Sequence, residues 1–130
     1  MKNIRLLISI FLMLFISIIS TACSKAKTHR VKVKFTNLTG HELTNLKVGG
    51  KCIGKLATNE TSDYVLFKEF SFDSGWPFVS IHAKIDDVEI CDYKFSECGT
   101  ERSTVEEGTF EMELLKLENN DERFLRLRLK

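Results

Sequence analysis

The stretch FVSIHAKI-DD-VEICDYKF, residues 78–95, predicts a β-hairpin and with it the fold class of the chain. Two runs in which apolar and polar residues alternate flank Asp86-Asp87, a pair suited to a two-residue turn. This register sets Lys84 opposite Glu89, a favourable cross-strand charge pair. On the other face it sets apolar residues opposite one another, namely Ile85–Val88 and Ala83–Ile90.

A second hairpin is predicted in FEMELLKLENNDERFLRLRLK, residues 110–130, with its turn at residues 119–122. One register satisfies burial and charge at once, and this agreement of two independent properties strengthens the prediction. The charge pairs are Glu113 with Arg128 and Glu111 with Lys130. The apolar side chains that face one another are Phe110, Met112 and Leu114 on one strand and Leu125, Leu127 and Leu129 on the other.

Upstream, three further extended runs are predicted, and residues 51–59 are interpreted as a poorly patterned connection. The apolar residues of the three runs are Val31, Val33 and Phe35; Leu43, Leu46 and Val48; and Tyr64, Leu66, Phe70 and Phe72. Each run has one apolar face that needs cover, which favours two packed sheets. The pattern therefore predicts an all-β domain, an antiparallel β-sandwich of about seven short strands.

The N-terminus has the pattern of a secretion signal. Lys2 and Arg5 precede an apolar run over residues 6–19, and small residues lead to Cys23. As a helix, this run of 14 residues would span about 21 Å, too short for a hydrocarbon core of ~30 Å. Residues 20–23, STAC, resemble a lipobox, although Ser20 stands where Leu is usual. We expect a signal-peptide helix over residues 1–22, a lipidated Cys23 with a short tether over residues 23–29, and a β-sandwich domain over residues 30–130.

Length and charge limit the classes of function. A chain of 130 residues holds one domain. Because the first 22 residues contain two of the 19 basic side chains, 17 remain against 18 acidic ones in the mature part. A nearly neutral, exported domain is a poor candidate for nucleic-acid binding. Ser24 directly after the anchor matches an outer-membrane preference known in some bacteria, so we expect a lipid-anchored protein of the bacterial envelope, in the outer membrane.

Four cysteines in an exported chain would ordinarily indicate two disulfides. If Cys23 is lipidated, one bridge at most remains among the other three cysteines. Cys91 and Cys98 are close in sequence and suit a local bridge, and Cys52 is an alternative partner for either. No C-x-x-C motif is present in the sequence, so a thioredoxin-like role has little support.

Three short motifs indicate a resemblance that covers most of the mature chain. They are Phe35-Thr36-Asn37 before the first turn, residues 59–64 (NETSDY) before the middle strand, and residues 107–110 (EGTF) before a late one. With these motifs the chain resembles uncharacterised small lipoproteins of Gram-negative envelopes. The resemblance implies an immunoglobulin- or transthyretin-like sandwich, and it implies no activity.

The sequence contains no recognisable catalytic motif. None of the three histidines, His29, His41 and His82, has a second ligand at metal spacing, and nucleophile-elbow and phosphate-loop motifs are missing from the sequence. We therefore expect no enzyme, no metal and no cofactor.

Two segments could bind a partner. Lys25, Lys27, Arg30 and Lys32 follow the anchor and could face anionic head groups, or could simply be a solvated strand face. Trp76-Pro77 lies in a predicted loop between phenylalanines, and loops carry many binding surfaces. We expect Phe70, Phe72 and Phe78 in the core, whereas Trp76 could be buried or exposed.

The sequence thus predicts a non-enzymatic binding or structural module of the envelope, tethered to its membrane, with a protein or glycan partner. A narrower version is a dedicated inhibitor or immunity protein that binds one enzyme. An enzyme whose site forms between distant strands is the competing class, and it would require a concave pocket with convergent polar groups.

Overall fold

A computed structural model describes residues 30–93 and 101–130, and this part of the chain is all β-structure. No helix in these two ranges is long and apolar enough to cross a membrane. The predicted signal peptide and tether lie outside the described residues, as does Cys98. The strands of the described ranges are β1 (Val31–Asn37), β2 (Leu43–Val48), β3 (Lys51–Leu56), β4 (Val65–Phe67), β5 (Phe70–Asp73), β6 (Trp76–Pro77), β7 (Ile81–Ile85), β8 (Val88–Asp92), β9 (Arg102–Val105), β10 (Gly108–Asn119) and β11 (Glu122–Leu129).

These strands form an eight-stranded sheet in the order β3-β2-β7-β8-β11-β10-β1-β4 and a three-stranded sheet in the order β6-β5-β9. The all-β prediction is confirmed. The antiparallel sandwich is not, because β1 runs parallel to β10 and β11 runs parallel to β8, and the large sheet is nearly barrel-like. Strands that pair in parallel are far apart along the chain, and side-chain alternation does not reveal such neighbours.

Both predicted hairpins form in the predicted register. In β7–β8, Ile85 pairs with Val88 and Lys84 pairs with Glu89. In β10–β11, Glu113 pairs with Arg128, whose Nε donates to the glutamate Oε2 at 2.8 Å. Both turns hold their two central residues in the left-handed region, Asp86 and Asp87 at φ 51° and 62°, Asn120 and Asp121 at φ 48° and 65°. Two positive φ values define the type I′ turn that matches strand twist.

The connection predicted over residues 51–59 is wrong for its first part, which forms β3. A turn at Gly49-Gly50, both with positive φ, joins β3 to β2. The alternation of β3 is hidden because Gly54, at φ 94°, lies where the register with β2 shifts. In β2 itself, Asn45 at φ 51° introduces a β-bulge. The bulge directs Leu43 and Leu46, three residues apart, to the same buried side.

The extended run predicted over residues 62–72 is divided at Lys68-Glu69 into β4 and β5. Before the division Tyr64 and Leu66 are exposed, and after it Phe70 and Phe72 are buried. The single apolar face expected for this run is therefore wrong, because the strand changes sheets and its buried parity changes with it. Phe67 is the buried residue of β4, whereas Phe70 and Phe72 are the buried residues of β5.

The core lies between the curled large sheet and the small sheet. A series of phenylalanine rings in edge and tilted contact connects the two, with centroids 5.2–6.3 Å apart. Its members in order are Phe35, Phe67, Phe70, Phe72 and Phe110. The other buried apolar side chains are Val31, Val33, Leu43, Leu46, Val48, Leu56, Ile81, Ala83, Ile85, Ile90, Met112, Leu114, Leu125 and Leu127.

Asn37, fully buried at the end of β1, connects β1 with β3, the strand at the far edge of the large sheet. Its Nδ2 donates to the carbonyl oxygens of His41 at 2.7 Å, Leu56 at 2.9 Å and Ala57 at 3.1 Å. Its Oδ1 accepts from the backbone N and the hydroxyl of Thr39, at 3.0 and 2.7 Å. Since Leu56 ends the edge strand β3, these bonds link that edge to β1.

The sequence motifs at residues 35–37 and 59–64 meet at this point. The Ser62 backbone N donates to the Phe35 carbonyl at 2.9 Å, and the Asn37 N donates to the Glu60 carbonyl at 2.9 Å. The hydroxyls of Thr36 and Thr61 are 2.9 Å apart. The two motifs therefore have one structural role: their hydrogen bonds hold the segment between β3 and β4 against β1.

Candidate binding surface

The hairpin of β5 and β6 positions the exposed tryptophan. Ser74 and Gly75 adopt φ values of 48° and 82°, so the chain reverses in two residues. Asp73 consequently pairs with Trp76, and Phe72 pairs with Pro77. The predicted loop at Trp76-Pro77 is thus the short strand β6, at one edge of the small sheet.

Two aromatic residues share the outer face of the small sheet. Phe70 and Phe72 of β5 are buried, so Ser71 and Asp73 between and beyond them point outward. Trp76 is opposite Asp73, and the backbone N of Phe78 donates to the Ser71 carbonyl at 2.8 Å. Trp76 is 46% exposed and Phe78 is 42% exposed. The expectation of a core position is confirmed for Phe70 and Phe72 and is wrong for Phe78.

An arginine lies over each of these rings. The Arg126 guanidinium carbon of β11 is 4.0 Å from the centroid of the Trp76 ring. The Arg102 guanidinium carbon of β9 is 4.6 Å from that of Phe78. Arg102 also approaches the Asp73 carboxylate, with Nε 3.8 Å from Oδ2. We call these five residues, Asp73, Trp76, Phe78, Arg102 and Arg126, the aromatic–arginine surface.

The chemistry of this surface suits recognition. A guanidinium over an aromatic ring contributes about 0.5–1 kcal/mol at an exposed site, and the contact restricts the rotation of both side chains. Trp76 and Phe78 offer apolar rings at the surface, while Arg102 and Arg126 add positive charge beside them. Tryptophan and arginine are enriched among the residues that dominate the free energy of binding at protein interfaces.

The cysteines Cys52 and Cys91 are free and exposed. The ladder places Cys52 opposite Lys47, Lys47 opposite His82 and His82 opposite Cys91. Three strand spacings therefore separate the Cα atoms of the two cysteines, about 14 Å. A disulfide requires Cα atoms closer than about 7 Å. A direct Cys52–Cys91 bridge is incompatible with this sheet. Cys98, the predicted partner of Cys91, and the lipidated Cys23 fall outside the described residues.

A second polar cluster lies beside the Asn37 network. The Nζ of Lys116 is 3.0 Å from the Nε2 of His41 and 3.1 Å from the Oε1 of Glu118. The hydrogen bond and the charge of Lys116 lower the pKa of the Glu118 carboxyl. His82 is exposed on the outer side of β7. Within residues 30–93 and 101–130, no three His, Cys, Asp or Glu side chains are grouped so that they could hold a metal ion.

Of the basic residues predicted to face head groups, the structure describes two. Arg30 approaches the carboxylates of Glu106 at 3.8 Å and Glu107 at 3.6 Å. Lys32 is exposed on the outer face of β1 and is opposite Leu66. Lys25 and Lys27 precede the described part of the chain.

Comparison with known proteins found no matching family model, no matching curated protein and no matching solved structure. The resemblance to envelope lipoproteins therefore stays a prediction from the sequence motifs. Arg102 and Arg126 were missed in the sequence, where no local pattern connects either arginine with Trp76. Only the pairing of β9 with β5 and the packing of β11 against β6 bring them to the two rings.

Proposed function

We propose that this chain is a lipid-anchored protein of the bacterial envelope that binds a partner, without catalysis, through the aromatic–arginine surface. The observation that carries the proposal is the exposure of Trp76 and Phe78 on one face, each in contact with an arginine. Large apolar rings at a surface are costly to keep in water, and binding a partner recovers that free energy.

The geometry favours binding because the surface is ordered before a partner arrives. The short turn at Ser74-Gly75 and the contacts of both arginines restrict the rings. A side chain that is already restricted loses less conformational entropy on binding, so more of the contact energy appears as affinity. Tryptophan has only two side-chain torsions and offers a large contact area for that small loss.

The membrane anchor is supported by the sequence alone: the charged start, the apolar run and the small residues before Cys23. Metabolic labelling with a clickable fatty acid tests it directly. We expect the wild-type chain to incorporate the label and Cys23→Ser to incorporate none. Equal labelling of both chains would refute the anchor and leave the binding surface as a separate question.

The partner is sought by cross-linking in intact cells, followed by affinity capture. We expect a partner with the wild type and with Val88→Ala, and its loss with Trp76→Ala. Val88 is a matched control because it is 65% exposed and lies beside the β7–β8 turn, three residues before Cys91, where β8 begins to pair with β11. Recovery of one protein in near-equal amount would support the narrower version, a dedicated inhibitor or immunity protein that binds one partner. Equal recovery with all three chains would refute the role of the aromatic–arginine surface.

A further inference from the structure

A second exposed face lies at the β4 edge of the large sheet, on β1 and β4. Lys32 is opposite Leu66 across these strands, and the Nζ of Lys34 is 4.4 Å from the centroid of the Tyr64 ring. Tyr64 is 46% exposed and Leu66 is 44% exposed, and Lys68 follows them at the surface. We call Lys32, Lys34, Tyr64, Leu66 and Lys68 the lysine–tyrosine face.

This face is adjacent to the point where the tether enters the domain. Seven residue steps lie between Cys23 and Arg30, and fully extended they reach at most about 25 Å. A compact domain of about 100 residues is roughly 33 Å across. The tether is therefore shorter than the domain is wide, so a lipidated Cys23 keeps the start of β1 close to the bilayer. Lys32 and Leu66 lie at this start.

The residue types of this face fit the surface of an anionic bilayer. Tyrosine favours the level of the head groups, a leucine beside it can enter the acyl boundary, and lysines are attracted to anionic lipids. The nearest acid across the ladder from Lys34 is Glu111, which already forms an ion pair with Lys130 at 3.0 Å.

The distant β7–β8 hairpin has the opposite character. Its exposed Val88 lies among Asp86, Asp87 and Glu89. An anionic bilayer would repel these carboxylates, although Val88 is the more exposed apolar residue. The lysine–tyrosine face has three lysines, against the flanking acids Asp63 and Glu69, and is the more positive of the two surfaces. Charge therefore favours it over the hairpin.

We propose that the lysine–tyrosine face docks on the anionic lipid surface in which the chain is anchored. This inference rests on the proposed lipid anchor at Cys23. β4 is three strand spacings from β11, about 14 Å, so the docked face is separate from Arg126, and Trp76 lies in the other sheet. Docking by the first face orients the domain and leaves the second available to a partner.

Quenching of single tryptophans by brominated lipids tests the orientation. The chain has one tryptophan, so Trp76→Phe provides a background for Tyr64→Trp and, as the matched control, Val88→Trp. Each lipidated chain is reconstituted into vesicles of phosphatidylethanolamine and phosphatidylglycerol that contain a brominated phospholipid. We expect strong quenching at position 64, little at position 88, and little for Trp76 in the wild type.

Vesicle co-sedimentation of a Cys23→Ser chain without the signal peptide, residues 1–22, tests the same face without the anchor. Adding Lys32→Gln should weaken binding to anionic vesicles about fivefold, by the attraction expected for one lysine. Val88→Ser should leave binding unchanged, and neutral vesicles should bind less of every chain.

Equal quenching at positions 64 and 88, or stronger quenching of Trp76, would overturn the docking proposal. Neither result would affect acyl labelling at Cys23 or partner capture through Trp76. Conversely, a chain without acyl label would refute the anchor, and the Cys23→Ser vesicle series would still decide whether the lysine–tyrosine face binds lipid.

Discussion

Replacement of Asn37 tests whether its hydrogen bonds hold β1 and the edge strand β3 of the large sheet together. Asn37→Ala removes the two N–H donors that the side chain shares among three carbonyl oxygens, and the oxygen that accepts two hydrogen bonds. Each bond contributes about 1 kcal/mol, and partners left buried without one add to the cost. The expected loss is about 4 kcal/mol, a large part of the 5–15 kcal/mol typical of a domain. It corresponds to a melting temperature about 20 °C lower.

Asn37→Asp separates hydrogen bonding from packing because it keeps the shape of the side chain. An oxygen would then face the carbonyl oxygens of His41, Leu56 and Ala57, and a buried carboxylate would lack a cation. We expect the order of stability wild type, then Asn37→Ala, then Asn37→Asp. Melting curves by circular dichroism at pH 7 measure it, with the exposed Asn119→Asp as a control near wild type. If Asn37→Asp is as stable as the wild type, the assigned network is wrong.

Further expectations follow from single contacts. Trp76 emission should be quenched readily by acrylamide in the free protein, and a strongly blue-shifted, unquenched emission would contradict its exposure. Because Lys116 lowers the pKa of Glu118, the glutamate stabilises the fold above its ordinary pKa of 4.5 and loses this effect as the pH falls through the lowered value. The melting temperature of Glu118→Gln should therefore be below that of the wild type at neutral pH and equal to it in strong acid. High salt should reduce the difference at neutral pH. A difference in melting temperature that does not depend on pH would refute the ion pair. Mass spectrometry of unreduced digests should find no peptide that links Cys52 to Cys91 within the folded monomer, and such a peptide would contradict the strand order.

The sequence predicted those parts of the fold that depend on neighbours in the chain. Both long hairpins were correct in register because their turns and their alternating residues are adjacent, so Glu113 and Arg128 could be paired by inspection. β3 was missed because the positive φ of Gly54 and the register shift beside it interrupt the period of two within that strand. The parallel pairing of β1 with β10 depends on the closure of the sheet, which local alternation does not encode.

The candidate surface was predictable only in part. Trp76 was identified from its residue type and its position beside Ser74-Gly75. Phe78 was assigned to the core because phenylalanine is usually buried, whereas the geometry of β5 and β6 turns it outward. Arg102 and Arg126 became visible only when the strands that carry them were placed beside the rings.

Site-specific photo-cross-linking in intact cells tests the binding surface most directly. A photoreactive phenylalanine derivative replaces Phe78 in one chain and Val88 in the other, since both positions are exposed. We expect a discrete cross-linked product from position 78 that disappears when Trp76→Ala is added, and none from position 88. A product from position 88 alone, or one from position 78 that survives Trp76→Ala unchanged, would contradict the assignment of the aromatic–arginine surface.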